Sequence, residues 1–564
     1  MTDANASYAR GDVSTPLIEK TIGEFFDDMV TRGPDKEVLV SCHQGIRLTY
    51  SELQKQADTL ASAFIETGVD PGDRVGIWAH NCAEWLIAQI ATAKIGIILV
   101  NLNPAYKKAE LEYALNKVGC KALITMASFK TTNYLELVRA LAPEITGAKP
   151  GQLEAARLPA LRTVIHLGNE EVAGFYRFKD FMQLGKPDDS LVREIGQTLK
   201  NSDSINIQFT SGTTGFPKGA TLTHRNILNN GFFLGEAMLL TESDRLCVPV
   251  PLYHCFGMVL GNLAAMTHRA TLVYPNDAFE PLSVLQAVES ERCSVLHGVP
   301  TMFIAELDYP DFGNFDLSSL RTGIMAGTTC PIEVMKRVVR DLHMSEVTIA
   351  YGMTETSPAS CQSTPATPID KRISTIGKVH PHLEIKVVDP ATGKTLPRGR
   401  VGELCTKGYS VMAGYWGDRV KTEEAIDADG WMHTGDLATM DEDGYVSISG
   451  RMKDMVIRGG ENIYPREIEE FLYRHPSIQD VQVIGIPDQK YGEELCAWII
   501  AKEGRDLSED DVRQFCQGEI AHFKIPRHIR FVESFPMTVS GKVQKFVMRE
   551  MMESEISSEA SLSA

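Results

Sequence analysis

Between Arg74 and Thr125 the chain alternates between short apolar runs and segments with apolar residues at helical spacing. Arg74–Trp78, residues 97–100 and residues 122–125 read as strands; Ala83–Lys94 and Lys108–Val118 read as helices. Strands joined through helical crossovers of this length run parallel, with helices covering the sheet faces. The pattern therefore predicts an α/β protein with a large N-terminal domain of βαβ-type sheets. Ligands of such sheets sit beyond the carboxyl ends of the strands, which is where site residues are to be sought. Two helices are predicted ahead of this region, one beginning at Thr15 as N-cap with Pro16 in the first turn, and one capped by Ser51.

One such strand end stands out. Residues 205–209 alternate Ile205, Ile207 and Phe209 with Asn206 and Gln208, the pattern of a half-buried strand. It runs straight into TSGTTGFPKG at residues 210–219, with hydroxyls on Thr210, Ser211, Thr213 and Thr214, glycines at 212, 215 and 219, and the ammonium of Lys218. Glycine lets the backbone turn its N–H groups toward a ligand. Inward amides, hydroxyls and one lysine make a cradle for a polyphosphate. A helix is predicted after the loop, near the good N-cap Thr223. The Walker A pattern does not account for the site: Gly393, Lys394 and Thr395 supply its ending, but position 388, where its first glycine belongs, is Val388.

At 564 residues the chain is long enough for several domains. Its net charge of −18, from 74 acidic and 56 basic residues, argues against a nucleic-acid surface. Eleven cysteines without a CxxC pair read as reduced thiols in a cytoplasmic protein, and the histidines show no zinc-site spacing. The most apolar stretch, residues 86–100, is interrupted by Gln89 and Lys94 and is too short to span a bilayer. The N-terminus does not read as a secretory signal, and the C-terminal SSEASLSA reads as a polar tail.

Further along, apolar runs lead into polar or glycine-bearing turns at LYHCFG (252–257), Ala326-Gly327-Thr328-Thr329 and Tyr351-Gly352-Met353-Thr354-Glu355. From Ile376 short alternating strands between glycine turns predict a small distorted barrel. Beyond Gly450 a helix–strand–strand–helix pattern predicts a separate, small α+β domain. The expected division is residues 1–450 and 451–564.

Five motifs occur in order: TSGTTGFPKG, YGMTE at 351–355, TGD at 434–436, GRMKD at 450–454 and SGK at 540–542. Together they resemble the adenylate-forming superfamily of acyl-CoA synthetases, luciferases and adenylation domains, over residues 20–550. The stretches PLYHCFG, GVPTMFIAELDYP and DLSSLRTGIMAG are most similar to medium-chain fatty acyl-CoA ligases of the acyl-CoA synthetase family member 2 type.

The resemblance implies a two-step ligase. A carboxylate attacks the α-phosphate of ATP to give acyl-AMP and pyrophosphate, and the thiol of CoA then displaces AMP. It implies that the 210–219 loop holds the β- and γ-phosphates, that Thr354 touches the α-phosphate, that Glu355 holds Mg²⁺, and that Tyr351 and Gly327 flank the adenine. Asp436 would bind the ribose hydroxyls, assisted by Arg451, and Lys542 would bridge carboxylate and α-phosphate. His254 would lie near the acyl pocket. The small domain would be mobile, turning about Lys453 to bring either Lys542 or the Gly459-Gly460 loop, which borders the CoA channel, to the site. The threonines at 328 and 329 depart from the Ala-Pro that many relatives carry there. The implied partners are a fatty acid, ATP and CoA, with no nucleic acid; a homodimer is compatible with the reading. A ligase for an aromatic or short-chain acid, a carrier-loading adenylation enzyme, and a nucleotide sensor are the rivals.

Overall fold

The computed structural model describes residues 5–129, 132–210, 217–327, 330–459, 461–488, 490–538 and 542–562, with side chains to residue 555. Its largest sheet has eight strands, in the order Tyr176–Arg177, Thr163–His166, Cys120–Thr125, Arg74–Trp78, Ile98–Asn101, Ser204–Thr210, Lys218–Thr223 and Gly414–Tyr415. The first six run parallel; Lys218–Thr223 runs against both of its neighbours, Ser204–Thr210 and Gly414–Tyr415. Helices Tyr50–Glu66 and Ala83–Lys94 pack over this sheet, and their apolar faces join one continuous core. The polar residues inside the apolar stretch are satisfied there. Lys94 is buried and pairs with Asp27 at 2.7 Å and Asp58 at 2.5 Å; Gln89 donates to Met258 O at 3.2 Å.

Helix starts follow the more complete local caps. The first helix is Ile22–Arg32, not one capped by Thr15, because Thr21 and Glu24 close a reciprocal capping box. Thr49 and Glu52 do the same for Tyr50–Glu66 and displace Ser51 from the N-cap.

One expectation about the loop-bearing strand fails. Ser204–Thr210 is not half-buried: Asn206 and Gln208 are 1% and 3% exposed. They form an amide ladder, Gln208 donating to Asn206 at 2.9 Å, Asn206 to Asn101 at 2.9 Å, and Asn101 to Tyr253 O at 3.0 Å. Mutual pairing lets an alternating polar face be buried at little cost. The helix expected near Thr223 is present, His224–Ala237, on a Thr223–Asn226 capping box. Before it runs a strand that the pattern does not predict, Lys218–Thr223, antiparallel to Ser204–Thr210.

A second sheet of five strands (Val295–Leu296, Arg245–Cys247, Thr271–Tyr274, Glu37–Ser41, Ile46–Thr49) and a four-stranded one (Ile324–Met325, Thr348–Gly352, Ala359–Gln362, Lys378–Val379) complete the walls of the cleft. An antiparallel five-stranded sheet follows, Tyr8–Arg10, Leu383–Val388, Gly402–Gly408, Met432–Met440 and Val446–Arg451. From Val456 onward the chain builds its own apolar clusters around Ile478–Asp488, Gly492–Ala501 and helix Pro465–Leu472.

Candidate active site

The strand Thr348–Gly352 ends in a tight turn over Thr354–Thr356. Gly352 is required there, since a Cβ at this position would fall 1.7 Å from Pro358 O. Met353 N–H and Thr356 Oγ1 both donate to Pro358 O, at 2.9 and 2.6 Å, and lock the turn. The buried Glu355 is held twice: its carbonyl accepts from Met412 N–H at 2.9 Å, and its Oε1 accepts from the Tyr415 hydroxyl at 2.7 Å. The same hydroxyl accepts from Lys218 Nζ at 2.9 Å. Burial, and then the Glu355 charge, push the Tyr415 phenol far up, so it stays neutral. Thr210 lies opposite Lys218 in the hairpin register. Ser211, Gly212, Thr213, Thr214 and Gly215 lie outside the described residues.

Asp436 sits on the long strand Met432–Met440, with Arg451 as its direct register partner. Arg451 Nε is 3.1 Å from Asp436 Oδ1, and the Tyr351 hydroxyl donates to Oδ2 at 2.6 Å. Burial, reinforced by the Asp436 charge, raises the Tyr351 phenol far above its ordinary range and keeps it a donor. The turn before Asp436 is anchored from beneath. Gly435 N–H donates to Glu403 Oε1 at 3.1 Å, His433 Nδ1 lies 2.8 Å from Glu403 Oε2, and Thr434 Oγ1 donates to Leu404 O at 2.7 Å. Glu403, Cys405 and His433 bring their donor atoms within 4.8 Å of one another. This trio reads as scaffolding, because both Glu403 oxygens already serve the turn and burial pushes the Cys405 thiol up to about 12.

On the opposite wall, His254 Nδ1 accepts Phe256 N–H at 3.2 Å, which leaves the proton of the neutral ring on Nε2. Burial, with Lys542 adding to it, pushes this imidazole down to about 3. Cys255 Sγ lies 3.8 Å from Thr354 Oγ1, which joins this wall to the Glu355 turn. Burial raises the Cys255 thiol to about 11 and keeps it unreactive at neutral pH. An irregular π-helical segment, Phe256–Leu263, carries the chain away. Gly327, at φ +92°, lies against this wall: a Cβ there would sit 3.0 Å from Val299 Cγ1 and 3.9 Å from Phe256 Cδ1. Thr328 and Thr329 fall outside the described residues.

Lys542 comes from the small domain, yet its ammonium is close enough to interact electrostatically with Cys255, Glu355, Asp436 and Arg451. Burial is the main cause that lowers its pKa, and Arg451 adds, against the opposing pull of Cys255, Glu355 and Asp436. Its backbone is tied to Thr538, Thr538 N–H donating to Lys542 O at 2.8 Å and Lys542 N–H to Thr538 Oγ1 at 3.1 Å. Gly459 is not brought to the same place by hydrogen bonding: its N–H is donated to Tyr491 O of the small domain at 2.8 Å. Gly460 lies outside the described residues. Lys453 is exposed on the short turn Met452–Asp454 that links the two regions. Tyr415 is the member of this cleft that no sequence pattern singles out, because nothing local to Gly414-Tyr415-Trp416 signals that its hydroxyl reaches two other strands' ends.

Residues 26–416 match the family model described as AMP-binding enzyme, and residues 467–542 its C-terminal domain. The chain belongs to the AMP-binding enzyme family. It is an AMP-forming acyl-CoA synthetase, for its relatives carry that activity over nearly their whole length. The putative acyl-CoA synthetase YngI of Bacillus subtilis is 50% identical over 95% of this chain and 97% of its own. The mitochondrial medium-chain acyl-CoA ligase ACSF2 of Bos taurus is 45% identical, over 98% and 90%. Among solved structures, ATP-bound MatB from Rhodopseudomonas palustris aligns with a TM-score of 0.81 at 29% identity, covering 94% of this chain and 99% of that one. An anthranilate CoA ligase, AuaEII, in complex with anthranoyl-AMP aligns with a TM-score of 0.83 at 26% identity, covering 96% and 99%. Among the described residues no helix is long and apolar enough to cross a membrane.

Proposed function

We propose that this synthetase activates medium-chain fatty acids, with Lys542, Thr354 and Glu355 at the reacting centre. The observation that carries the reading is the convergence of Lys542, delivered by the small domain, on Glu355, Asp436 and Arg451. In the first step a carboxylate oxygen bonds to the α-phosphorus and the bond to the bridging oxygen breaks, releasing pyrophosphate. Negative charge accumulates around that phosphorus, and preorganised cations and donors lower the barrier. Lys542 lies between the carboxylate and the α-phosphate, and Thr354 donates to the latter. Lys218 and the 210–215 segment grip the departing pyrophosphate. Tyr351 and Gly327 border the adenine, and Asp436 with Arg451 fixes the ribose.

Glu355 offers a buried, oriented, hard oxygen donor, which suits Mg²⁺ shared with phosphate oxygens. When bound, that ion neutralises developing phosphate charge. His254, neutral with its proton on Nε2, can donate toward the acyl carboxylate. In the second step the small domain (residues 451–564) turns about Lys453 and the Gly459-Gly460 loop borders the CoA path. The CoA thiolate bonds to the acyl carbonyl and AMP departs.

The chain-length assignment is supported by ACSF2 relatives at 43–45% identity that are named as medium-chain ligases, and by the apolar wall of Phe256, Val299 and Gly327. Eleven free thiols suit a reducing compartment, and the same proposal puts the enzyme in the cytoplasm. The test is pyrophosphate release across acids of graded length, with and without CoA. We expect a maximum at medium-chain acids, one burst of pyrophosphate without CoA and sustained turnover with it. A maximum at aromatic or short acids would overturn the substrate assignment.

A further inference from the structure

Lys218 and Glu355 carry opposite charges and are joined through a single phenolic oxygen. Lys218 Nζ donates to the Tyr415 hydroxyl at 2.9 Å, and that hydroxyl donates to Glu355 Oε1 at 2.7 Å. The backbone that carries the phenol is pinned. Gly414–Tyr415 pairs with the return strand of the phosphate hairpin, and Trp416 N–H donates to Gly219 O at 2.8 Å. Tyr415 N–H donates to Thr422 Oγ1 at 2.9 Å. Three residues earlier, Met412 N–H donates to the carbonyl of Glu355 itself at 2.9 Å. Lys218 Nζ also lies 4.2 Å from the centre of the Tyr415 ring, which adds a cation–π attraction. Tyr415 thus sits between two groups that its own strand segment holds in place.

An ammonium and a carboxylate this close attract strongly where water is scarce. If they met directly, each would satisfy the other, and an incoming MgATP would have to break that pair to gain either. An interposed neutral hydroxyl holds both in place while leaving the lysine's other protons and the carboxylate's second oxygen free for ligands.

We propose that Tyr415 is a positioning residue, a spacer that keeps Lys218 and Glu355 from collapsing into an ion pair and so holds the pyrophosphate grip and the metal-binding carboxylate open for MgATP. The assignment rests on the proposed roles of Lys218 and Glu355. It makes a distinct demand: the spacer matters for adenylation, and through MgATP rather than through the acid.

The test compares wild type with Tyr415→Phe, which keeps the ring and removes only the spacer oxygen. Adenylation is followed by ATP–pyrophosphate exchange over a Mg²⁺ titration and an ATP titration, and thioester formation is followed from supplied acyl-adenylate. We expect the Mg²⁺ concentration for half-maximal exchange and the KM for ATP to rise about tenfold, the scale of one hydrogen bond to a charged group. The KM for the acid and the rate of the thioester step should not move. Both half-reactions are read in one preparation, so their ratio corrects for any loss of folded enzyme. In a Lys218→Met background, where no ion pair can form, Tyr415→Phe should leave the Mg²⁺ requirement unchanged. The spacer assignment is overturned by unchanged Mg²⁺ and ATP responses in Tyr415→Phe, by equal loss of both half-reactions, or by an undiminished effect beside Lys218→Met. Wild-type exchange that needs no divalent ion would instead refute the proposed role of Glu355.

Discussion

The two sides of the cleft are built by opposite rules. On the large-domain side each charged group is tied down before any substrate arrives: Asp436 by Tyr351 and Arg451, Glu355 by Tyr415 and Met412, and the turn before Asp436 by Glu403. Lys542 instead rides on a small domain whose seam with the rest is thinly bonded. Polar links across that seam include Arg466 Nη1 to Ile448 O at 2.7 Å, Ile332 N–H to Glu470 at 3.4 Å and Gln479 to Asp308 at 3.4 Å. The first side suits precise placement of a nucleotide. The second suits the proposed movement of Lys542 into the site for one step and out for the next, which a strongly bonded seam would oppose.

The difference is broken most directly at Lys542. Lys542→Ala should lower acyl-adenylate formation by about 10²–10³-fold, the usual cost of losing one transition-state donor, and leave thioester formation from supplied acyl-adenylate intact. Separate measurement of the half-reactions checks this, and equal losses would mean that the lysine is structural. Because burial lowers the Lys542 pKa, its ammonium is lost at a lower pH than an ordinary lysine's. The adenylation half should therefore fall first as the buffer becomes alkaline.

Acid separates the two regions by stability. His224, His297 and His380, all buried in the large domain, are pushed down to about 4 by burial. Between that value and the unfolded value of about 6.5, the unfolded chain binds more protons than the folded one, so stability falls as pH falls through this window. At pH 5 the loss is roughly 1–2 kcal/mol for each histidine. Glu306, buried and shifted upward in the same domain, opposes it in part. In the small domain Asp480 is raised to about 6 by burial, so that fold gains stability as pH falls from there toward 4. Hydrogen exchange resolved by segment, at pH 7 and pH 5, should show protection lost in the large domain first. Uniform loss across both would contradict the assignment.

A smaller effect is expected at the ribose side. Tyr351→Phe removes the donor at Asp436 Oδ2 but keeps Arg451. The KM for ATP should rise about 5–10-fold, with kcat changed little, because orientation of the carboxylate rather than its charge is lost. Steady-state kinetics at saturating acid decides it; a large fall in kcat alone would point to a role in the chemical step.

How much of this could be read beforehand depended on range. Helix Lys108–Val118 and strand Arg74–Trp78 are found where the periodicity puts them, because their patterns are local. The order of the motifs singles out Lys218, Glu355, Asp436 and Lys542, because each motif is read from adjacent residues. The hairpin return Lys218–Thr223 was missed because its glycine-led start looks like loop until the neighbouring Ser204–Thr210 pairs with it. Asn206 and Gln208 looked exposed because their partners lie 105 residues away, in the case of Asn206 and Asn101, or on the same strand face. Tyr415 was invisible for the same reason. It acts 60 residues from Glu355 and 197 from Lys218, through contacts that only the closed sheet creates.

The finest test lies on the seam itself. Helix Ile332–Asp341 of the large domain begins at Pro331, which supplies no side-chain cap, and Glu470 of the small domain accepts its first N–H at 3.4 Å. A carboxylate at a helix N-terminus gains both that hydrogen bond and the attraction of the helix dipole, about 0.3–1 kcal/mol when partly exposed. The contact is made with Lys542 in the cleft, so in the proposed two-pose cycle it is expected to favour the adenylation pose. Glu470→Gln keeps the shape and removes the charge. We expect adenylation to slow about 2–5-fold while thioester formation is unchanged or slightly faster, a small shift in opposite senses that ordinary destabilisation would not produce. A parallel fall in both half-reactions would show that Glu470 only holds the seam together and does not choose between poses.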